Sequence, residues 1–172
     1  MSYKRRSSTK IQDKEVGHLR GPNGRRLCRF CRNEVPPSKR TFCSAECIHE
    51  WRLRSNVSYL RKHLYERDLG ICDICKLDTR QLKIKIEDAW RLTKRSSSSP
   101  SKSPVWAEFL KIFNLSHGEA FRSLWQADHI TPVIEGGGEC GLDGVRTTCI
   151  TCHKQLTKEL AKRRAKSKKS TS

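Results

Sequence analysis

Apolar residues fall in short, separated groups along this chain, and polar or basic runs divide them. Residues 1 to 26 are polar, basic and rich in Gly and Ser, which predicts a disordered basic arm. Residues 27 to 54 hold the first four cysteines. From 55 to 70 the pattern turns helical: Val57, Leu60 and Leu64 share one face, and Gly70 is placed to end the helix. A second helix over 80 to 94 carries Leu82, Ile86, Ala89 and Trp90. The Ser- and Pro-rich run 95 to 104 predicts a flexible loop. A third, short helix over about 105 to 114 buries Trp106, Phe109, Leu110 and Phe113. Residues 123 to 134 read as a strand entering a turn, Gly136 to Gly138 as a loop, and Val145 to Thr148 as a second strand. From Ile150 the pattern is helical again, with Leu156 and Leu160 facing inward, and it passes into a basic tail over 162 to 172.

Composition changes this picture in two ways. Apolar residues are 35% of the 172 positions and charged residues 31%, so a core would be thin, and nine cysteines suggest that metal supplies what packing does not. The net charge of +18 implies a polyanionic partner, nucleic acid ahead of an acidic protein or a membrane surface. No apolar stretch reaches the ~18 residues of a membrane span, and MSYKRRSSTK lacks the apolar core of a signal peptide. Disulfides would need an oxidising compartment. Zinc held in a reducing one is the stronger reading, which puts the protein inside the cell, in the nucleus of a eukaryote or otherwise in the cytoplasm.

The cysteines pair by spacing. Cys28 and Cys31, then Cys43 and Cys47 after eleven intervening residues, give four thiolates able to converge on one zinc, with Ser44 placed to cap the helix that carries Cys47. His49 is a less well spaced substitute ligand. Arg25, Arg26, Arg29, Arg32, Lys39 and Arg40 surround this site and either grip phosphates or simply solvate it. A second quartet, Cys72, Cys75, Cys149 and Cys152, spans 73 intervening residues and would tie a knuckle to the start of the last helix. Cys140 is left over as a buried or incidental thiol.

Asp128 and His129 end the first strand, and His153 directly follows Cys152, so the second zinc positions it. Asp and His suit a divalent metal with open positions, and imidazole titrates near neutral pH. Asp128 and His153 would hold that metal, and His129 would take a proton from water. Alternatively Asp128 caps a turn and His129 is structural.

Several separately placed elements resemble the HNH nucleases, specifically their zinc-framed ββα-metal subgroup. They are Gly70-Ile71-Cys72-Asp73-Ile74-Cys75, Ala127-Asp128-His129-Ile130-Thr131-Pro132-Val133, Glu135-Gly136-Gly137-Gly138 and Cys149-Ile150-Thr151-Cys152-His153-Lys154. Trp125 to Cys152 is also similar to the HNH domain attached to a fork-remodelling DNA translocase. The resemblance implies Asp128 and His153 as metal ligands, His129 as general base, and products with a 5′-phosphate and a 3′-hydroxyl. One position departs from the family: the middle Asn, expected nine residues before the final His, is Gly144. Asp143 or the backbone alone would then have to brace the loop.

The expectation is an α+β protein with little sheet. A four-cysteine zinc module, 27 to 54, precedes an HNH nuclease domain, 55 to 161, with a helical insertion at about 80 to 122. The function it implies is a metal-dependent DNA endonuclease using two structural zincs and one catalytic Mg2+, Mn2+ or Zn2+. The alternative is a non-catalytic zinc module that binds nucleic acid, with Gly144 marking a decayed site. Expected DNA contacts are Arg29, Arg32, Lys154, Lys158, Lys162, Arg163 and Arg164, on duplex or branched DNA, with RNA as a further candidate. Lys162 onward equally suits nuclear import or solvation. The insertion's Trp90, Trp106, Phe109 and Phe113 read as its own small core rather than a base-stacking platform.

Overall fold

A computed structural model describes residues 19–170 and, for side chains, residues 19–167. It divides into two compact units: the described residues up to Lys62 with Glu139–Leu142, and His63–Gly138 with the residues from Asp143 onward.

The first unit is small and built on cysteine. Residues 1–18 of the expected arm lie outside the described residues, but residues 19–26 are ordered. They form a tight turn closed by an Arg20–Arg26 bridge. Gly24 takes a positive φ of 72° there, and the Glu34 carboxylate accepts from the Asn23 backbone and side-chain amides at 2.7 Å each. Polar composition alone pointed to disorder; these local hydrogen bonds oppose it. Cys28, Val35 and Cys47 form the buried centre, with Phe30 and Phe42 packed on it. Helix α1 (Ala45–Ser55) starts where expected, because the Ser44 side chain accepts from the Cys47 amide. Helix α2 (Val57–Asp68), whose residues from His63 belong to the second unit, follows after a break at Asn56, whose side chain accepts from the Tyr59 amide. Leu60 and Leu64 are buried as the pattern required, whereas Val57 is exposed in the first turn.

The second unit carries α3 (Thr79–Ser96), a 3-10 turn at Pro100–Lys102, α4 (Pro104–Ile112), a one-turn α5 (His117–Ala120), β1 (Trp125–His129), β2 (Val145–Cys149) and α6 (Ile150–Ser170). The run expected to be a flexible loop from 95 to 104 is therefore mostly structured: α3 extends through Ser96 and Pro104 opens α4. Proline at a first helical position loses no hydrogen bond and has its φ already set. Leu82, Ile86, Trp106, Leu110, Leu115, Ala120 and Leu124 form one buried cluster, with Trp90, Phe109 and Phe113 against it. These aromatics thus pack into a cluster shared with Leu77, Leu124 and Ile150 from outside 80 to 122, and the Trp106 indole N–H reaches His117 Nδ1 at 2.9 Å. Strands β1 and β2 pair antiparallel from Trp125↔Cys149 to His129↔Val145. The first strand stops at His129, shorter than the predicted 123 to 134, and a 3-10 turn occupies Val133–Glu135. No helix among the described residues is long and apolar enough to cross a membrane.

Candidate active site

Both cysteine quartets converge: in each, the four Sγ atoms lie within 4.8 Å of one another. Tetrahedral zinc with ~2.3 Å bonds places its sulfurs ~3.8 Å apart. The Sγ separations are 3.4 Å for Cys31–Cys43, 3.3 Å for Cys43–Cys47 and 3.7 Å for Cys75–Cys149. The acid–base character of the thiols fits a cation. Burial pushes Cys28 up, but amide N–H groups of Cys31, Cys43 and Phe30 outweigh it and bring it down to about 6. Burial likewise opposes, and the amides of Cys75, Cys149 and Ile74 secure, a lowering of Cys72 to about 7. Hydrogen bonding to Cys47 and Cys31 holds Cys43 up at about 12, and burial raises Cys152. A thiol held down beside thiols held up is a setting in which a divalent ion would favour the thiolate form. His49 is not in the first quartet; its Nδ1 lies 2.9 Å from the Tyr59 hydroxyl.

The second quartet fixes the geometry around β1 and β2. The Asp73 amide donates to Thr147 O at 2.8 Å, and the Asp68 carboxylate accepts from the Thr147 amide at 3.1 Å. The knuckle and the end of α2 are thereby fastened to β2, whose last residue is Cys149. Helix α6 begins at the next residue, so His153 sits in its first turn, one residue after Cys152 of the second quartet.

There Asp128 and His153 meet. His153 Nε2 lies 4.0 Å from Asp128 Oδ1. Two ligand atoms on one cation at ~2.0–2.2 Å bonds can be at most ~4.4 Å apart, so the pair fits a shared ion. The side chain of Asp128 is 17% exposed and that of His153 41%, which leaves room for further ligands. His129 is outside this pair: among the described residues only the cysteine quartets bring three or more ligating atoms within 4.8 Å. It does line the same cleft, about 330 Å³, with Asp128, Arg146, His153 and Arg163. Leu156 and Leu160, expected to face inward, are half-buried on its wall.

Arg146 was not singled out from the sequence. It stands opposite Asp128 in the strand register, and its Nε donates to Asp128 Oδ2 at 3.1 Å. That contact depends on strand pairing across 18 residues, which a linear pattern does not reveal. Gly144, at the position of the family Asn, accepts from the Ile130 amide through its carbonyl at 3.0 Å. The loop after His129 is therefore tied by backbone. Asp143 is exposed and lines a different hollow, with Arg67 and Asp73.

The basic residues divide. Lys158, Lys162 and Arg164 are exposed on α6. Arg163 pairs with Glu135 at 3.4 Å. Lys154 is engaged with Glu119 at 2.8 Å, which holds that carboxylate down at about 2 through their hydrogen bond. Lys154 therefore ties α6 to the insertion rather than standing free for phosphate. Arg29 and Arg32 lie in the first unit and line a shallow hollow with Phe30 and Arg54.

No protein-family model matches the chain. Sequence comparison finds the DNA annealing helicase and endonuclease ZRANB3 of Mus musculus, 36% identical over 154 residues, covering 83% of this chain and 14% of the relative. The Homo sapiens protein of the same name is 34% identical over 154 residues, with the same coverage of 83% and 14%. The chain thus spans 14% of the length of these relatives. Among solved structures, the human ZRANB3 HNH domain is 35% identical, covers 67% of this chain with 97% of its own length, and superposes with a TM-score of 0.43. Identity at that level over nearly all of that domain shows that this chain belongs to the HNH family. Within it, this is a small α+β HNH domain with two four-cysteine clusters suited to zinc.

Proposed function

We propose that this domain is a metal-dependent DNA endonuclease. The observation that carries the reading is the 4.0 Å approach of Asp128 and His153 beside a four-thiol cluster that sets the start of α6. A divalent cation held by Asp128 and His153 would supply a Lewis acid for the scissile phosphate and the leaving oxygen. His129, at the end of β1 and on the rim of the same cleft, takes a proton from the attacking water. Arg146 holds the second oxygen of Asp128 and orients that carboxylate. Lys158, Lys162 and Arg164, exposed on α6, contact the phosphate backbone in a salt-dependent, sequence-blind way. The relatives' names supply DNA as the polymer; they give no support to RNA.

Two observations favour a second reading, a DNA-binding module with a decayed site. Arg146 already occupies one oxygen of Asp128, and Gly144 replaces the family Asn. The readings separate on metal count. The endonuclease requires two tight zincs plus an exchangeable ion, seen as Mn2+ binding by electron paramagnetic resonance and lost in Asp128→Ala. Two zincs with no Mn2+ site would establish the binding module instead.

A further inference from the structure

A second cavity, of about 380 Å³, lies at the other end of β1. Its lining includes Tyr65, Ile84 and Trp125, and three cations, Arg80, Lys83 and Arg122, with no carboxylate. The Tyr65 and Trp125 rings are 5.6 Å apart and inclined by 31°. The volume falls within the ~300–1,000 Å³ of small-ligand pockets. Of the three hydroxyls in the lining, the two aliphatic ones are committed to backbone, Thr79 donating to Gly70 O at 2.7 Å and Ser123 to Trp125 O at 3.0 Å, and the Tyr65 phenol interacts with Arg80. What remains to meet a ligand is aromatic surface and positive charge.

From this combination we infer that the Tyr65–Trp125 cavity binds an unpaired nucleotide of single-stranded DNA, its base against the aromatic pair and its phosphates among Arg80, Lys83 and Arg122. Aromatic platforms with a cationic rim are how sequence-tolerant binding of single strands is built, because every base offers a π-face and every linkage a charge. Arg122 is exposed. Lys83 donates to Ala120 O at 2.9 Å and lies 5.9 Å from the Phe121 ring, which fixes its amine near the cavity. Arg80 is shared with Asp78 at 3.2 Å and Lys83 with Glu87 at 4.0 Å, so Arg122 is the principal phosphate partner of the three. Position adds a second consideration. Trp125 and His129 stand at opposite ends of β1, roughly 13 Å apart at ~3.3 Å per residue. A strand seated here would reach His129 over roughly four stacked nucleotides. The inference rests on DNA being the partner; it does not require the domain to cut.

The test uses the full chain with two probes, fluorescein-labelled dT12 and a labelled 20-base-pair blunt duplex, by anisotropy at fixed salt. The variants are Trp125→Leu, Trp125→Phe and Arg122→Glu, each checked for zinc content and circular dichroism. The expected result is that Trp125→Leu and Arg122→Glu weaken dT12 binding by about 5- to 150-fold, the worth of one stacked base. Duplex binding should change by less than about twofold, and Trp125→Phe should keep dT12 affinity within about threefold. Should Trp125→Leu lose its zinc, Arg122→Glu and Trp125→Phe decide the matter. Unchanged dT12 affinity, or equal loss on both probes, overturns the cavity while leaving the DNA reading intact. A wild type that binds neither probe overturns both.

Discussion

Removing one ligand of the second quartet, Cys149→Ala, should have the largest effect of any single change in the domain. Cys149 is 3% exposed and Cys72 fully buried, and together they join segments separated by residues 73–148. A cross-link that closes a loop of about 75 residues contributes about 4–5 kcal/mol through chain entropy. A domain of this size is stable by only ~5–15 kcal/mol, and 1 kcal/mol shifts the Tm of a ~100-residue domain by about 4 °C. The variant should therefore melt roughly 15–20 °C lower by circular dichroism and hold one zinc per chain after dialysis against chelator, not two. Cys140→Ala, outside both quartets, should keep two. A Cys149→Ala protein with two zincs, or a Tm within about 3 °C of the wild type, would refute the zinc frame.

Three further outcomes are expected. At Gly137 a Cβ would lie 1.7 Å from the Thr131 carbonyl oxygen, a backbone clash no rotamer relieves; Gly137→Ala should cost about 1–3 kcal/mol in urea unfolding, and a cost under about 0.3 kcal/mol would show that the loop is free to move. Trp106, 1% exposed, anchors the insertion; Trp106→Ala should cost about 3–5 kcal/mol, and a loss below about 1 kcal/mol would mean that the insertion does not depend on this core. Lys154 lowers the Glu119 pKa to about 2. Because the folded-state value is depressed, the ion pair's stabilisation is present above the ordinary glutamate range and is lost as pH falls toward about 2; in Lys154→Met the carboxyl should titrate nearer its ordinary range by NMR, and no movement would exclude the pair.

The parts of this domain written in local spacing were legible in the sequence. Each CxxC or CxxxC pair sits on one turn, so Cys28, Cys31, Cys43 and Cys47 could be grouped by counting, and His153 takes its position from Cys152 of the second cluster beside it. Contacts that depend on long-range pairing were not legible. Arg146 reaches Asp128 only because β1 and β2 align in one register, and Lys154 meets Glu119 across 35 residues. Other features had signals that composition masked. Ser116-His117-Gly118-Glu119 is a capping box, and both reciprocal hydrogen bonds form around α5. Pro104 after Ser103 marks a helix start inside a run that reads as disorder. The break at Asn56 was also written in a residue that caps helices, but the helical reading from 55 set the boundary two residues ahead of Val57.

The most direct test of the central claim is nicking of supercoiled plasmid with Mg2+ or Mn2+ by the wild type and by His129→Ala. The account predicts metal-dependent nicking by the wild type, a loss of about 10²-fold or more in His129→Ala, as expected for a removed general base, and DNA binding retained by both. If both proteins nick at equal rates, His129 is not the base; if neither nicks while both bind, the endonuclease reading itself is contradicted.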